Sequence, residues 1–175
     1  MELTEKAELA TQGDKEAFVN VIRSLQQSLY IVARSIVKNE EDCADAIQET
    51  IAKAFSNVHR LKEPAYFKTW IIRILINECN RIIRKRRRVY PVPYDLRKTS
   101  YKDEYEQIEL FEVIDGLDEQ LQTTVTLFYI EDLSVKEISK VLNISEGTVK
   151  SRLFRARQQL SELAIGEGES KYELS

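Results

Sequence analysis

Residues 133–160 read LSVKEISKVLNISEGTVKSRLFRARQQL, and this stretch decides the fold of the C-terminal part of the chain. Ser134 and Glu137 have the S-x-x-E spacing of a capping box, in which the hydroxyl and the carboxylate each bind an otherwise unpaired amide at the start of a helix. Residues 143–145 form a short turn whose last residue, a serine, can cap a second helix. The stretch therefore predicts two short helices joined by a tight turn.

The second of these helices has two distinct faces. Its apolar residues follow each other at steps of three and four, which predicts that they pack against a core; they are Val149, Leu153, Ala156 and Leu160. The opposite face is polar and basic, and it consists of Lys150, Ser151, Phe154, Arg155 and Gln158. Such a pair matches the helix-turn-helix, whose second helix enters the major groove of DNA. The alternative, a helical hairpin with incidental charge, is disfavoured because capping, turn and charge placement agree.

The composition of the whole chain favours helices. Its 175 residues are 43% hydrophobic, which is enough for one ordinary domain or two very small ones. Only five glycines and three prolines interrupt it, and charged residues make up 31%. This mixture nearly excludes a turn-rich β-sandwich or barrel. We therefore predict an all-α protein.

Neither membrane insertion nor secretion is predicted. The longest unbroken apolar run is residues 29–33, whereas a membrane span needs roughly 18 residues or more. The first residues, MELTEKAE, lack the basic start and the apolar stretch of a secretory signal. We expect the protein to act in the cytoplasm.

The chain offers few residues for catalysis. Cys43 and Cys79 have apolar neighbours and His59 is the single histidine, so we predict two reduced, buried cysteines and neither a metal site nor a disulfide framework. Phosphate-binding glycine loops and nucleophile elbows are absent from the sequence. Asp45 and Glu49 could hold one metal ion in a nuclease, but no third ligand is indicated. We therefore predict no enzyme activity and no cofactor.

The N-terminal half contains a core-facing helix followed by a helix with mixed faces. The apolar stripe of the first is Phe18, Val21, Ile22, Leu25, Leu29, Val32, Ala33 and Ile36. Asn39 can cap the next helix, whose buried stripe we predict as Ala44, Ile47, Ile51, Ala54 or Phe55, and Val58. Asp45 and Glu49 share its other side, and like charges at that spacing cost about 0.2–0.5 kcal/mol. A basic partner would explain them, although a merely solvated face remains the alternative.

A dense basic block ends the N-terminal half. Residues 81–88 read RIIRKRRR, with six cations in eight positions, and we predict that this block binds phosphates. Tyr66, Phe67 and Trp70 lie just upstream, and unpaired bases stack on aromatic rings beside guanidinium groups. For Trp70 alone, ordinary core packing is the favoured interpretation.

The sequence divides into two domains and two further segments. Residues 1–88 and 106–164 have helical periodicity, so we predict two small helical domains. Residues 89–105 include two prolines and no sustained period, which predicts a flexible linker. Residues 165–175 contain two glycines and no apolar period, so we predict a disordered tail.

Three motifs, taken in order, resemble a known family. They are DAIQE at residues 45–49, FKTWIIRI at residues 67–74 and GTVKSRLFRAR at residues 147–157. Their order and spacing, over residues 14–163, resemble the group IV, or extracytoplasmic-function, type of bacterial sigma factor. A helix-turn-helix regulator of the response-regulator output type is the alternative, but it would share only the last motif.

The resemblance implies a sigma factor with regions 2 and 4 only, which binds core RNA polymerase and directs it to promoters. It implies that Asp45, Gln48 and Glu49 dock on the coiled coil of the polymerase β′ subunit. It also implies that the acidic helices at residues 106–130 meet the β flap. An anti-sigma factor is a further implied partner.

The resemblance also implies which residues contact promoter DNA. Those for the melted minus-10 element are Leu61, Trp70, Asn77, Arg81, Arg84, Lys85, Arg86, Arg87 and Arg88, and Asn77 would line a pocket for an extruded base. Those for the duplex minus-35 element are Lys150, Ser151, Arg152, Phe154, Arg155 and Arg157, of which Arg152 and Arg157 would lie nearer phosphates. Leu61 departs from the family pattern, because many relatives have an aromatic or another bulky residue there.

Overall fold

The computed structural model describes the backbone of residues 2–89 and 105–173, and the side chains of residues 2–89 and 109–166. The chain forms two compact units, Met1–Thr99 and Ser100–Ser175, which are described separately below. Regular structure in the described residues is helical throughout, so the all-α prediction is confirmed. The predicted linker lies outside the described residues, except that residues 89 and 105 belong to helices. None of the described helices combines the length and the apolar composition that crossing a bilayer requires.

The described residues of the first unit form four α-helices, α1 (Leu3–Thr11), α2 (Lys15–Val37), α3 (Glu40–Asn57) and α4 (Phe67–Val89). Two short 3₁₀ turns, Val58–Arg60 and Pro64–Tyr66, lead from α3 to α4. The Asn39 side chain accepts a hydrogen bond from the Asp42 amide at 2.9 Å, which confirms the predicted cap of α3.

The core of the first unit lies around α2, which packs against α1, α3 and α4. Most of the predicted α2 stripe is buried, including Val21, Leu29 and Val32, which are fully buried. Phe67 at the start of α4 is also fully buried, and its ring lies 6.4 Å from that of Phe18 in an edge-to-face arrangement. This packing fixes α3 and α4 side by side and leaves a polar surface of each helix exposed.

The predicted buried stripe is confirmed at Ala54 and Val58, but in the first part of α3 it is wrong by about one residue. The helix buries Cys43, Ala46, Thr50 and Ala54, whereas Ala44 is exposed and Ile47 and Ile51 are half-buried at the margin. Small side chains on the buried side let α3 approach α2 and α4 closely, and the Thr50 hydroxyl donates to the Ala46 carbonyl oxygen at 2.6 Å, so its burial leaves no unpaired donor.

The two cysteines are free and buried, as predicted. Burial raises the pKa of the Cys43 thiol to about 12 and raises the pKa of Cys79 as well. Both groups therefore remain neutral thiols at physiological pH and behave as small apolar side chains between the helices.

The second unit consists of α5 (Tyr105–Asp115), α6 (Glu119–Val125), a π-helical turn (Thr126–Ile130), α7 (Val135–Leu142) and α8 (Glu146–Glu173). Leu117, Leu121, Val125 and Ala156 form its core cluster, with Leu160 packed against them. The capping box is confirmed: the Glu137 amide donates to the Ser134 hydroxyl at 3.2 Å, and the Ser134 amide donates to the Glu137 carboxylate at 2.8 Å. Ser145 accepts from the Thr148 amide at 3.1 Å, which confirms the second predicted cap.

Helix α8 is longer than predicted. It continues to Glu173, so the backbone of residues 165–173 is helical rather than disordered, while residues 174–175 lie outside the described part. Glutamate and lysine, which make up four of these nine residues, have high helix propensity, and the two glycines of this segment each cost only about 1 kcal/mol relative to alanine. The two glycines together lower the helix propensity of the segment without ending the helix.

Candidate functional site

A charged groove runs between α3 and α4 in the first unit and has a volume of about 680 Å³. It is lined on α3 by Asp42, Asp45, Gln48, Glu49 and Ala52, and on α4 by Arg81, Ile82, Lys85, Arg86 and Val89. All three residues predicted to dock on the polymerase therefore lie here and are exposed. Three cations that we predicted to contact the minus-10 element lie on the facing wall of the same groove.

One of these cations, Arg86, is held by a buried carboxylate. Its Nε and Nη2 atoms lie 2.8 Å from the two carboxylate oxygens of Asp42, and the Asn39 side-chain amide also donates to Asp42 at 2.8 Å. The Asp42 side chain is only 8% exposed. Two parallel charge-assisted hydrogen bonds to a buried partner fix the guanidinium, so Arg86 joins α3 to α4.

A second pocket of about 580 Å³ lies beside the 3₁₀ turns; we call it the Trp70 pocket. It is lined by Lys53, Asn57, Arg60, Leu61, Lys62, Trp70, Ile74, Asn77 and Glu78. Leu61, Trp70 and Asn77, which were predicted to act together, are thus brought to one concave surface. The cations Lys53, Arg60 and Lys62 at this pocket were not predicted, because they lie outside the dense basic block.

The position of Trp70 is compatible with both of the roles that the sequence left open, core packing and contact with an unpaired base. Its ring lies 5.6 Å from that of Phe67 in an edge-to-face arrangement, so one part of the side chain packs on the core. The residue is only half-buried, and its remaining surface lines the pocket together with the exposed Asn77. A concave surface with an aromatic ring, an amide and nearby cations suits an unstacked base and its phosphate.

Glu78 joins the charged groove to the Trp70 pocket. Its side chain is only 5% exposed, and it accepts hydrogen bonds from Lys53 Nζ and from Arg81 Nε, the latter at 2.7 Å. Lys53 also lies 3.8 Å from the carboxylate of Glu49. Burial by itself raises the pKa of Glu78, but the hydrogen bonds from Lys53 and Arg81 outweigh burial and leave the pKa below its ordinary value.

Replacing Glu78 with glutamine is expected to lower the free energy of unfolding by about 1–2 kcal/mol at neutral pH, since the amide loses two charge-assisted hydrogen bonds. Because the folded pKa of Glu78 is lowered, its contribution is present above the unfolded pKa of about 4.3 and is lost as the pH falls through the folded value. Chemical denaturation at a series of pH values measures both effects.

The matched control is Glu49→Gln, at a carboxylate that is 46% exposed and whose ion pair with Lys53 is long. We expect this control to change the free energy of unfolding by less than about 1 kcal/mol. If the free energies of unfolding of wild type and Glu78→Gln differ by the same amount down to strongly acidic pH, the assigned ion pairs are contradicted.

The remaining cations at the end of α4 are exposed and lie outside both the charged groove and the Trp70 pocket. Arg84, Arg87 and Arg88 are in this group, whereas Lys85 is exposed but lines the charged groove. The basic block is therefore not one surface: Arg81, Lys85 and Arg86 lie with the docking residues, and the other three lie elsewhere on the helix.

In the second unit, α8 presents the predicted recognition face. Lys150, Ser151, Phe154 and Arg155 are exposed. On the opposite side of α8, the predicted apolar stripe is buried at its first three positions and half-buried at Leu160. Phe154 is 61% exposed, so its ring is accessible to a binding partner. The four exposed residues lie in the first half of α8, where a helix in a major groove contacts base edges.

Two further arginines flank this face. Arg157 donates from Nε to the Tyr129 hydroxyl at 2.8 Å, and Tyr129 lies in the π-helical turn. Arg152 is half-buried, and its Nε has no hydrogen-bond partner within the described residues. Burial and the nearby Arg155 lower the pKa of Arg152. The role of Tyr129 was not predicted, because no sequence motif links it to Arg157.

Comparisons with known proteins match two separate segments of the chain, one in each of the two units. Residues 21–89 match the family model described as Sigma-70 region 2, and residues 107–160 match that described as Sigma-70, region 4. The chain is 32% identical to RNA polymerase sigma factor SigV of Bacillus subtilis over 148 residues, which cover 83% of this chain and 89% of the relative. It is 31% identical to the ECF RNA polymerase sigma-E factor of Haemophilus influenzae over 181 residues, which cover 91% of this chain and 94% of that relative.

Two solved structures have a similar fold. The structure of CnrH in complex with the cytosolic domain of CnrY is 25% identical with a TM-score of 0.69, and the match covers 93% of this chain and 97% of that one. The sigma factor RpoE from Bartonella quintana, solved in complex with the anti-sigma factor NepR, is 22% identical with a TM-score of 0.74, covering 85% and 96%.

Proposed function

Because the chain belongs to the extracytoplasmic-function sigma factors of the sigma-70 family, we propose that it binds core RNA polymerase through α3, opens the minus-10 element with the Trp70 pocket and recognises the minus-35 element with α8. The observation that carries this proposal is the convergence of Leu61, Trp70 and Asn77 on one pocket. A helix-turn-helix regulator of the response-regulator output type would account for the second unit alone.

Polymerase docking is assigned to Asp45, Gln48 and Glu49. They are exposed on one side of α3, and the two carboxylates lie one helical turn apart. The partner must therefore present cations, and we assign it as the coiled coil of the β′ subunit. The acidic helices at residues 106–130 are assigned to the β flap.

Promoter opening is assigned to the Trp70 pocket and to three exposed cations at the end of α4 that lie outside the charged groove. A base that leaves the duplex loses its stacking energy, and it regains part of that energy when it packs against an aromatic ring and hydrogen-bonds through its edge. Trp70 offers the ring and Asn77 the amide, while Arg84, Arg87 and Arg88 are exposed for phosphates.

Recognition of the minus-35 element is assigned to α8. Lys150 and Arg155 can donate hydrogen bonds to guanine, and the exposed ring of Phe154 suits a thymine methyl group. Arg152 and Arg157 are assigned to phosphates, which fix the register of the helix on the duplex.

The protein acts on its polymerase in the cytoplasm, where we also expect an anti-sigma factor to bind it. The relative RpoE was solved with an anti-sigma factor, which supports a partner of this kind. We propose no catalysis for the chain, since the polymerase performs the chemistry. No cofactor is proposed either, and the described residues contain no group of three or more His, Cys, Asp or Glu side chains that could hold a metal ion.

In vitro transcription with purified core polymerase tests the proposed function. We expect the protein to direct initiation at a single start site on promoters selected from a random library, and core polymerase alone to give no defined start. The Asn77→Ala variant should bind core polymerase normally and give weaker permanganate reactivity of the minus-10 thymines. No stimulation of specific initiation from any selected promoter would refute the proposal.

A further inference from the structure

The two walls of the charged groove have opposite charge. Asp45 and Glu49 lie on the α3 wall, and Arg81 and Lys85 lie on the α4 wall. Ala52 and Ile82 add apolar surface to the same groove. A groove with an acidic wall, a basic wall and apolar positions favours an occupant that is itself charged on both sides.

The opposite charges of the two walls are not all used within the fold. Asp42 and Arg86 neutralise each other. Arg81 pairs with the buried carboxylate of Glu78, which also pairs with Lys53. Asp45 and Lys85 are exposed, and in the described part of the chain neither makes an ion pair. They face the same open volume, so a partner inserted there can pair with both.

Promoter DNA does not fit this groove well. A phosphate that reached Arg81 or Lys85 from within the groove would also lie beside Asp45 and Glu49, and like charges repel. A protein segment carries both signs of charge and apolar side chains, so it can complement both walls at once. The facing arrangement therefore favours protein over nucleic acid as the occupant.

We infer, on the basis of the proposed docking of core polymerase on α3, that Arg81 and Lys85 bind acidic side chains of the same polymerase segment. The two residues then belong to the polymerase interface rather than to the minus-10 interface. The polymerase segment presents cations to α3 and carboxylates to α4, which fixes its orientation as well as its position.

The test measures the affinity of the full-length protein for purified core polymerase in the absence of DNA. Lys85→Glu and Arg81→Glu are each expected to weaken binding about tenfold, because an attraction becomes a repulsion. The matched control is Arg73→Glu, which makes the same change of charge at an exposed α4 position outside the charged groove and the Trp70 pocket. We expect the control to bind as wild type does.

Lys85→Glu is the decisive variant, because Lys85 makes no contact on which the described fold depends, whereas Arg81→Glu also removes the pair with Glu78. Unchanged core affinity of Lys85→Glu, together with loss of open complexes at saturating core polymerase, would overturn the inference and return Lys85 to the DNA. Asp45→Arg with Glu49→Arg tests the underlying docking proposal: if this variant loses affinity and Lys85→Glu does not, the inference alone fails.

Discussion

Replacing both Asp45 and Glu49 with arginine is expected to weaken binding to core polymerase more than about 100-fold while the protein stays folded. Each change turns an attraction to a basic partner into a repulsion, and losing one partner of a desolvated charge pair costs about 2–5 kcal/mol. Two such losses exceed the roughly 2.8 kcal/mol that corresponds to a factor of 100. Titration of labelled protein with core polymerase, without DNA, measures the affinity.

The fold should tolerate this double substitution because both side chains are exposed. Among the described residues, the only ion pair that it removes is the 3.8 Å contact between Glu49 and Lys53, and exposed pairs of that kind contribute about 0–1 kcal/mol. The double control Glu8→Arg, Glu16→Arg makes the same change of net charge at exposed positions outside α3 and α4. Wild-type affinity in the Asp45, Glu49 variant would show that the polymerase docks elsewhere.

Local signals were enough to predict the helix-turn-helix of the second unit. The capping box at Ser134 and Glu137 and the cap at Ser145 each depend on residues three apart in sequence, and both are present. The recognition face followed directly, because the period of a helix alone determines that Lys150 and Arg155 lie opposite the buried stripe.

Packing between helices could not be predicted in the same way. Hydrophobicity alone favoured Ile47 and Ile51 as buried residues of α3, but the structure buries the smaller Ala46 and Thr50, since close approach of neighbouring helices favours small side chains. The sequence pattern gives the size and polarity of each residue. It does not give the distance between two helices that pack together in the fold.

Ion pairs distant in sequence were missed for the same reason. Arg86 pairs with Asp42 across 44 residues, and Lys53 pairs with Glu78 across 25 residues. From sequence alone the cations at residues 81–88 form one block, and only the fold divides them between the charged groove and the rest of α4. The convergence of Leu61, Trp70 and Asn77 likewise depends on the two 3₁₀ turns between α3 and α4.

The recognition face of α8 is expected to separate two kinds of DNA contact. Lys150→Ala or Arg155→Ala should cost about 1–3 kcal/mol in binding to the preferred minus-35 sequence and relax the preference at one base pair. Both side chains are exposed in the first half of α8, where they can reach base edges in the major groove. Selection of minus-35 sequences by holoenzyme that carries each variant measures the preference.

Arg157→Ala is expected to behave differently, because a phosphate contact carries no base information. The Arg157 side chain donates from Nε to the Tyr129 hydroxyl at 2.8 Å, which restrains its orientation. Loss of this cation should weaken binding to all sequences alike and reduce the slope of log affinity against log salt by roughly one unit. The Arg157 and Lys150 variants serve as controls for each other, since each should change the quantity that the other leaves intact. If all three variants keep both the wild-type preference and the wild-type salt slope, α8 does not contact the minus-35 element.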